Sequence, residues 1–227
     1  LKAFERLLNI MDDLREKCPW DREQTLESLR NLTIEETYEL ADAIMDHDMD
    51  EVRKELGDLM LHIVFYSKIG SEEGKFDVAD VLNGICDKLV FRHPHVFGDT
   101  KVKGSGEVLE NWEELKMKEG NRSVLSGVPV SLPAMIKSHR IQDKVRAVGF
   151  DWDHRDQVWD KVNEELNEVK YELMNGQDKA KTENEIGDLL FSIINAARLY
   201  DVEPETALER TNRKFIKRFK YLEKKSL

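Results

Sequence analysis

Cysteine, proline and glycine are scarce in this chain of 227 residues. The two cysteines, Cys18 and Cys86, have no Cys-x-x-Cys spacing, which argues against a disulfide-stabilised scaffold or a zinc knuckle. We therefore expect a reducing, cytoplasmic location. Only five prolines and twelve glycines interrupt the chain, so long stretches of it are free to form helices.

Long apolar runs and an excess of basic charge are also missing. The strongest apolar run, from Leu59 to Tyr66, contains His62 and is much shorter than the roughly 20 residues that a membrane span needs. Since the sequence opens on a helical pattern, we expect no secretory signal. Acidic residues number 46 against 35 basic ones, a net charge of −11, so we do not expect nucleic-acid polymers as partners. Because the apolar run is short, we do not expect a membrane partner either.

The sequence does contain a repeated helical pattern. Apolar residues recur at intervals of three and four, as in the stripe Ile34, Tyr38, Ala41 and Met45, and alternating strand patterns are almost absent. Helix breakers cluster at 98–106 and 120–133, with a short helical pattern at 111–119 between them. The sequence predicts an all-α protein of two domains, residues 1–120 with a linker to about 133, and residues 134–227.

The two halves repeat one another over the length of a whole domain, which indicates duplication of a domain and not a solenoid. In the first half, Trp20-Asp21 is followed by Glu35-Glu36-x-x-Glu39 and then by Glu55-x-Gly-Asp58. In the second half, Trp152-Asp153 is followed by Glu164-Glu165-x-x-Glu168 and then by Glu185-x-Gly-Asp188.

Each half carries four acids that an antiparallel helix pair would bring together. Acids three residues apart project from one helix face, and residues whose numbers have the same sum lie level in an antiparallel pair. A turn at His47-Asp48 sets Glu36 level with Asp58 and Glu39 level with Glu55. A turn at Asn175-Gly176 does the same for the second set, which consists of Glu165, Glu168, Glu185 and Asp188.

These carboxylates predict a divalent metal site in each half. Two carboxylates 4 Å apart repel by roughly 4 kcal/mol at an effective dielectric of about 20, so we expect a cation between them. Oxygen ligands suit Mg²⁺, with Mn²⁺ as a substitute, and Mg²⁺ usually completes its shell with water and substrate phosphates. Zinc and di-iron sites are disfavoured because neither set includes His or Cys at ligand spacing. The alternative is that these acids only form solvated helix faces. Against it, the full pattern of five acids, Glu-Glu-x-x-Glu followed by Glu-x-Gly-Asp, occurs at matching places in both halves.

Two further features suggest phosphate chemistry. Lys214 and Arg218, like Lys88 and Arg92, lie four residues apart on a predicted helix and would form a clamp for phosphates. The alternative for such a pair is a surface role, with the aliphatic stems covering apolar groups. Next to the metal sets, Glu164 and its counterpart Glu35 are candidates to orient or deprotonate a water molecule.

Together these residues resemble the MazG family of tandem-domain nucleoside triphosphate pyrophosphohydrolases. Three further motifs support the resemblance, which covers essentially the whole chain: Cys18-Pro19-Trp20-Asp21-Arg22-Glu23-Gln24-Thr25, Arg92-His93-Pro94-His95-Val96-Phe97 and Val148-Gly149-Phe150-Asp151-Trp152. The resemblance implies an all-α fold in which two subunits pair and complete each helical bundle. It also implies Mg²⁺-dependent hydrolysis of nucleoside triphosphates to nucleoside monophosphate and pyrophosphate, by attack at the α phosphorus, for house-cleaning or regulation of the nucleotide pool.

The resemblance also assigns substrate-binding residues. In the second domain, Lys161 and Lys181 would join Lys214 and Arg218 on the triphosphate, and Asn195 would lie near the nucleotide. The first domain matches the metal and basic sets, but Leu32 replaces Lys161 and Phe65 replaces Asn195, which argues against full turnover there. Two alternatives stay open: a narrower dUTP or dNTP pyrophosphatase, and a non-catalytic module that senses nucleotides or dimerises.

Overall fold

Helices form the regular structure of the residues that the computed structural model describes, which are 1–104, 106–108, 111–112, 115, 123–176 and 178–226. No strand occurs within these ranges. The chain divides into two units, Leu1–Thr100 and Lys101–Leu227. The prediction of tandem all-α domains is confirmed, whereas the pairing of two subunits stays a prediction. Most of the short helical pattern at 111–119 lies outside the described residues.

The first unit is built on one long antiparallel helix pair. Its helices are α1 (Lys2–Lys17), α2 (Pro19–Glu23), α3 (Leu26–Met45), α4 (Met49–Glu72), α5 (Val78–Arg92) and α6 (Pro94–Phe97). Thr25 and Asp48 begin α3 and α4, since each side chain accepts a hydrogen bond from a backbone N–H of the first turn. Between these helices His47 adopts a φ of 55°, in the left-handed region, so the chain reverses at the predicted turn.

The core of the first unit lies where α1 packs against α3 and α4. Its buried members are Met11, Leu29, Val64, Phe65 and Ile69. Arg15 ties the end of α1 to the end of α4, because its Nε donates to Glu72 Oε1 at 3.0 Å. The same guanidinium donates to the backbone oxygen of Gln24 at 3.0 Å, just before α3 begins. These contacts hold α3 and α4 in a fixed position on α1.

The second unit repeats the long helix pair. Its helices are α7 (Ala134–Arg146), α8 (Val158–Asn175), α9 (Lys179–Leu199) and α10 (Pro204–Ser226), with short 3₁₀ turns at Val124–Gly127 and Arg155–Gln157. Val158, Val162 and Ala196 form the buried core between α8 and α9. Gln142 on α7 donates from Nε2 to the backbone oxygen of Phe191 at 2.9 Å, which fixes α7 against α9.

Part of the predicted apolar surface is not buried within the chain. Ile34 and Tyr38 on α3 are exposed, and so are Ile186 and Ile193, which recur at a helical interval of seven residues on α9. The periodicity of these residues predicts helices correctly, but the core within the chain uses other positions, such as Leu29. Within the described ranges, no helix combines the length and the apolar character that crossing a bilayer requires.

Candidate metal centre

The first acid cluster, which consists of Glu36, Glu39, Glu55 and Asp58, lies between α3 and α4. One carboxylate oxygen from each of Glu36, Glu39 and Glu55 lies within 4.8 Å of the others. Asp58 faces the same group: partial burial, followed by the negative charges of Asp58 and Glu39, raises the pKa of Glu36 above its ordinary value. The structure therefore brings together all four acids of the first predicted set.

The second acid cluster, which consists of Glu165, Glu168, Glu185 and Asp188, occupies the same place between α8 and α9. Oxygens of Glu165, Glu185 and Asp188 lie within 4.8 Å of one another. Desolvation, followed by the charge of Glu168, raises the pKa of Glu185. Both helix pairs thus have the antiparallel register that sets these acids side by side.

The acid clusters fit a hard divalent cation. Glu55 is only 2% exposed, and its Oε2 has no hydrogen-bond partner within the part of the chain that the structure describes. A buried polar atom without a partner destabilises the fold, and a buried carboxylate more than a neutral group. Glu165 is similarly buried, at 6% exposed. A bound cation would provide the missing contact and offset the desolvation and the repulsion that raise the pKa of Glu36 and Glu185.

One lysine contacts each acid cluster. Lys161 Nζ lies 2.7 Å from Glu165 Oε1 and 3.1 Å from Glu164 Oε1, and hydrogen bonds to these two carboxylates raise the pKa of Lys161. In the first cluster, Lys54 Nζ lies 3.1 Å from Glu55 Oε1. Sequence reasoning missed Lys54, although it directly precedes a predicted ligand. The two lysines come from different positions, since Lys161 is on the first helix of its pair and Lys54 on the second.

Asn195 takes part in a buried network that the sequence analysis did not anticipate. Arg198, which is 6% exposed, donates from Nη2 to Asp151 Oδ1 at 2.5 Å and from Nη1 to Oδ2 at 3.0 Å. It also donates from Nε and Nη2 to Asn195 Oδ1, at 3.1 and 2.8 Å. Burial opposes ionisation of Asp151, but the bonds from Arg198 and the Trp152 N–H hold its pKa below the ordinary value. The three-residue spacing of Asn195 and Arg198 on one helix was the available signal.

The remaining predicted residues lie nearer the surface. Those that are exposed are Glu35, Lys88, Lys181, Lys214 and Arg218, and Arg92 is half-buried. Lys214 and Arg218 share one face of α10, as their spacing requires. Among the described residues, no ion pair joins Lys214 or Arg218 to the second acid cluster, so the structure does not bring this basic pair into contact with the acids.

Comparison with known proteins gives the same division into two similar domains. A model of the MazG nucleotide pyrophosphohydrolase domain matches residues 24–97 and again residues 155–222. The chain is 45% identical, over 99% of its length, to the nucleoside triphosphate pyrophosphohydrolase of Escherichia coli K12, of which it covers 88%. It is 43% identical, over 97% of its length, to the nucleoside triphosphate pyrophosphohydrolase/pyrophosphatase MazG of Thermotoga maritima, of which it covers 85%. Both acid clusters lie inside the matched ranges.

Proposed function

The chain belongs to the MazG nucleotide pyrophosphohydrolase family, and on this basis we propose that it hydrolyses nucleoside triphosphates to nucleoside monophosphate and pyrophosphate. The observation that carries the proposal is the gathering of carboxylates on facing helices inside both matched domains. The names of the Escherichia coli and Thermotoga maritima relatives support the same activity. We further propose a cytoplasmic enzyme that cleans or regulates the nucleotide pool.

The proposed cofactor is Mg²⁺, for which Mn²⁺ would substitute. The ligands would be Glu165, Glu168, Glu185 and Asp188 in the second domain and Glu36, Glu39, Glu55 and Asp58 in the first. When bound, such an ion would withdraw negative charge from the phosphate oxygens of the substrate. The all-oxygen character of the ligands and the unpartnered Glu55 Oε2 support this choice of metal.

In the proposed reaction the side chains hold the triphosphate and supply a proton acceptor. Lys161, Lys181, Lys214 and Arg218 would donate hydrogen bonds to phosphate oxygens. Water attacks the α phosphorus, the bond from that phosphorus to the oxygen that bridges to the β phosphate breaks, and pyrophosphate leaves. Glu164 would accept the proton that the water loses, and Glu35 is its counterpart in the first domain.

The two domains are proposed to contribute unequally. The first domain has Leu32 at the position of Lys161, and Phe65, at the position of Asn195, is buried in the hydrophobic core. Phe65 therefore packs in the hydrophobic core, whereas the second domain has the polar side chain of Asn195 at the matching position. Lys54 supplies a cation to the first acid cluster, and Lys88 and Arg92 match the basic pair. These features favour nucleotide binding in the first domain and faster turnover in the second.

We also propose that two copies of the chain pair through exposed apolar helix faces. On α10, Phe215 is 68% exposed, and Phe219 and Leu222 are exposed beside it. On α5, Leu82, Ile85 and Leu89 are exposed in a similar row. Monomeric proteins rarely leave large contiguous apolar patches in water. A second copy with the same faces would cover them.

Purified protein incubated with Mg²⁺ and a panel of NTPs and dNTPs tests the proposed function. We expect pyrophosphate and nucleoside monophosphate in equal amounts, no orthophosphate as a first product, and loss of activity with a metal chelator. Orthophosphate alone would reject cleavage between the α and β phosphates. Activity confined to dUTP or other dNTPs would identify a narrower pyrophosphatase, and no turnover of any nucleotide would favour a sensing or dimerisation module.

Lys161→Ala is expected to lower kcat/KM for pyrophosphate release by roughly 10- to 150-fold, because charge-assisted hydrogen bonds contribute about 1.5–3 kcal/mol each. The matched change Lys54→Ala, which removes the lysine from the first acid cluster, is expected to lower it less than about twofold, since turnover is assigned to the second domain. Steady-state kinetics at saturating Mg²⁺ measure both. An equal loss in Lys54→Ala would mean that the first domain carries much of the turnover.

A further inference from the structure

We propose that Arg198 and Asp151 are positioning residues for Asn195, and that they orient its amide nitrogen to donate a hydrogen bond to the nucleoside part of the substrate. This inference rests on the proposed function, because it takes the second acid cluster as the place where the triphosphate binds. The MazG resemblance already implies that Asn195 lies near the nucleotide, and the inference adds the two residues that would fix its orientation.

The orientation of Asn195 follows from hydrogen-bond chemistry. A guanidinium group carries donors only, so the atom of Asn195 that faces Arg198 must be the acceptor Oδ1. Two bonds to Arg198, from Nε at 3.1 Å and from Nη2 at 2.8 Å, fix that oxygen. The Nδ2 group then points away from Arg198, and within the described part of the chain it donates to no acceptor. The network leaves a half-buried amide donor ready for a ligand.

The place of Asn195 on α9 matches a ligand that extends from the second acid cluster. Asn195 follows Asp188 by seven residues, which is close to two helical turns, so the two side chains share a helix face about 10 Å apart along the axis. A triphosphate held at the acids would extend its nucleoside along this face. The partner of Nδ2 is therefore a hydrogen-bond acceptor, such as a sugar oxygen or a base carbonyl.

Arg198 is held from outside its own helix. Asp151 lies in the segment between α7 and α8, and its carboxylate accepts a hydrogen bond from each terminal nitrogen of the guanidinium. The low pKa of Asp151 keeps this bidentate pair charged at neutral pH. Because Arg198 is buried and both of its terminal nitrogens bond Asp151, its side chain has little freedom to move away from Asn195.

The first domain uses the matching positions differently. Phe65 stands where Asn195 is, and Lys68 stands where Arg198 is. Lys68 Nζ lies 2.7 Å from Asp12 Oδ1, an ion pair that ties α4 to α1. The positioning network is thus a feature of the domain to which we assign turnover, and Lys68 provides a matched control.

A double-mutant cycle on the full chain tests whether Arg198 acts through Asn195. Asn195→Ala and Arg198→Lys are each expected to raise KM roughly fivefold with little change in kcat, the size of one neutral hydrogen bond. Lysine keeps the positive charge, but it lacks the planar set of donors that lets Arg198 bond Asp151 and Asn195 at the same time. The double variant is expected to match Asn195→Ala, because the positioning residue has nothing left to position. Asp151→Asn is expected to raise KM in the same way, and Lys68→Met to leave it unchanged.

Inorganic tripolyphosphate, which has no nucleoside, separates the proposed contact from a phosphate contact. Its inhibition constant is expected to be the same in the wild type, Asn195→Ala and Arg198→Lys. Additive losses in the double variant, a fall in kcat with unchanged KM, or weaker tripolyphosphate inhibition would overturn the inference while leaving the proposed function intact. A wild type that turns over no nucleotide would overturn the proposed function, and this inference with it.

Discussion

Replacing Glu165 with Gln is expected to lower kcat/KM for pyrophosphate release by about a thousandfold, whereas Glu36→Gln is expected to lower it only a few-fold. Glu165 is buried, contributes one oxygen to the second acid cluster and accepts a hydrogen bond from Lys161. Glutamine keeps the shape of the side chain but removes its charge, which weakens both the hold on a cation and the contact with Lys161. A loss of several kcal/mol of transition-state stabilisation corresponds to a rate change of this size.

The measurement is the rate of pyrophosphate release as a function of Mg²⁺ concentration, with thermal melting as a check on the fold. Desolvation, followed by the negative charge of neighbouring acids, raises the pKa of Glu36 and Glu185, so ionisation of these two carboxyl groups destabilises the metal-free fold as the pH rises through their pKa values. The charge of Glu165 is one of those that raise the pKa of Glu185, so Glu165→Gln relieves part of that repulsion but removes the charge that pairs with Lys161. Nearly full activity of Glu165→Gln at the Mg²⁺ concentration that saturates the wild type would contradict the assignment of Glu165 as a ligand. A greater loss in Glu36→Gln than in Glu165→Gln would mean that the first domain carries most of the turnover.

Much of the fold and of the acid clusters was predictable because both follow from local periodicity. Spacings of three and four predict helices, and Asp48 and Asp178 cap the second helix of each pair where the turns were expected. Once the turn is known, the register of an antiparallel pair is determined, so the acids of α3 and α4 must meet. Duplication strengthened the inference, because the second half repeats the same arithmetic with different intervening residues.

The residues that the sequence did not reveal depend on contacts between distant segments. Asp151 and Arg198 meet only after α9 packs beside the segment before α8, and no local spacing joins them. The apolar stripe on α3 was predicted, but the exposure of Ile34 and Tyr38 was not, because an apolar face pairs equally well with another helix of the chain or with another subunit. Sequence periodicity identifies such a face but does not identify what covers it.

Glu164→Gln is expected to lower kcat by about a hundredfold with little change in KM or in the Mg²⁺ dependence. A positioned general base contributes about 10²–10⁴-fold to a rate, and glutamine cannot accept the proton of the attacking water. Glu164 lies beside the second acid cluster without belonging to it, and its side chain is half exposed, where water has access. The matched variant Glu35→Gln, in the first domain, is expected to change kcat by less than about twofold.

Glu164 has a second possible role, which a double variant separates from proton transfer. Its Oε1 lies 3.1 Å from Lys161 Nζ, so it could act only by holding the lysine. A glutamine oxygen still accepts a hydrogen bond from Lys161, so a purely structural Glu164 would leave kcat nearly unchanged in Glu164→Gln. If Glu164 acted only by holding Lys161, Glu164→Gln would have no effect on kcat in the Lys161→Ala background. A proton acceptor predicts the opposite: the hundredfold loss in kcat persists in the Lys161→Ala background, because the water still has to lose its proton.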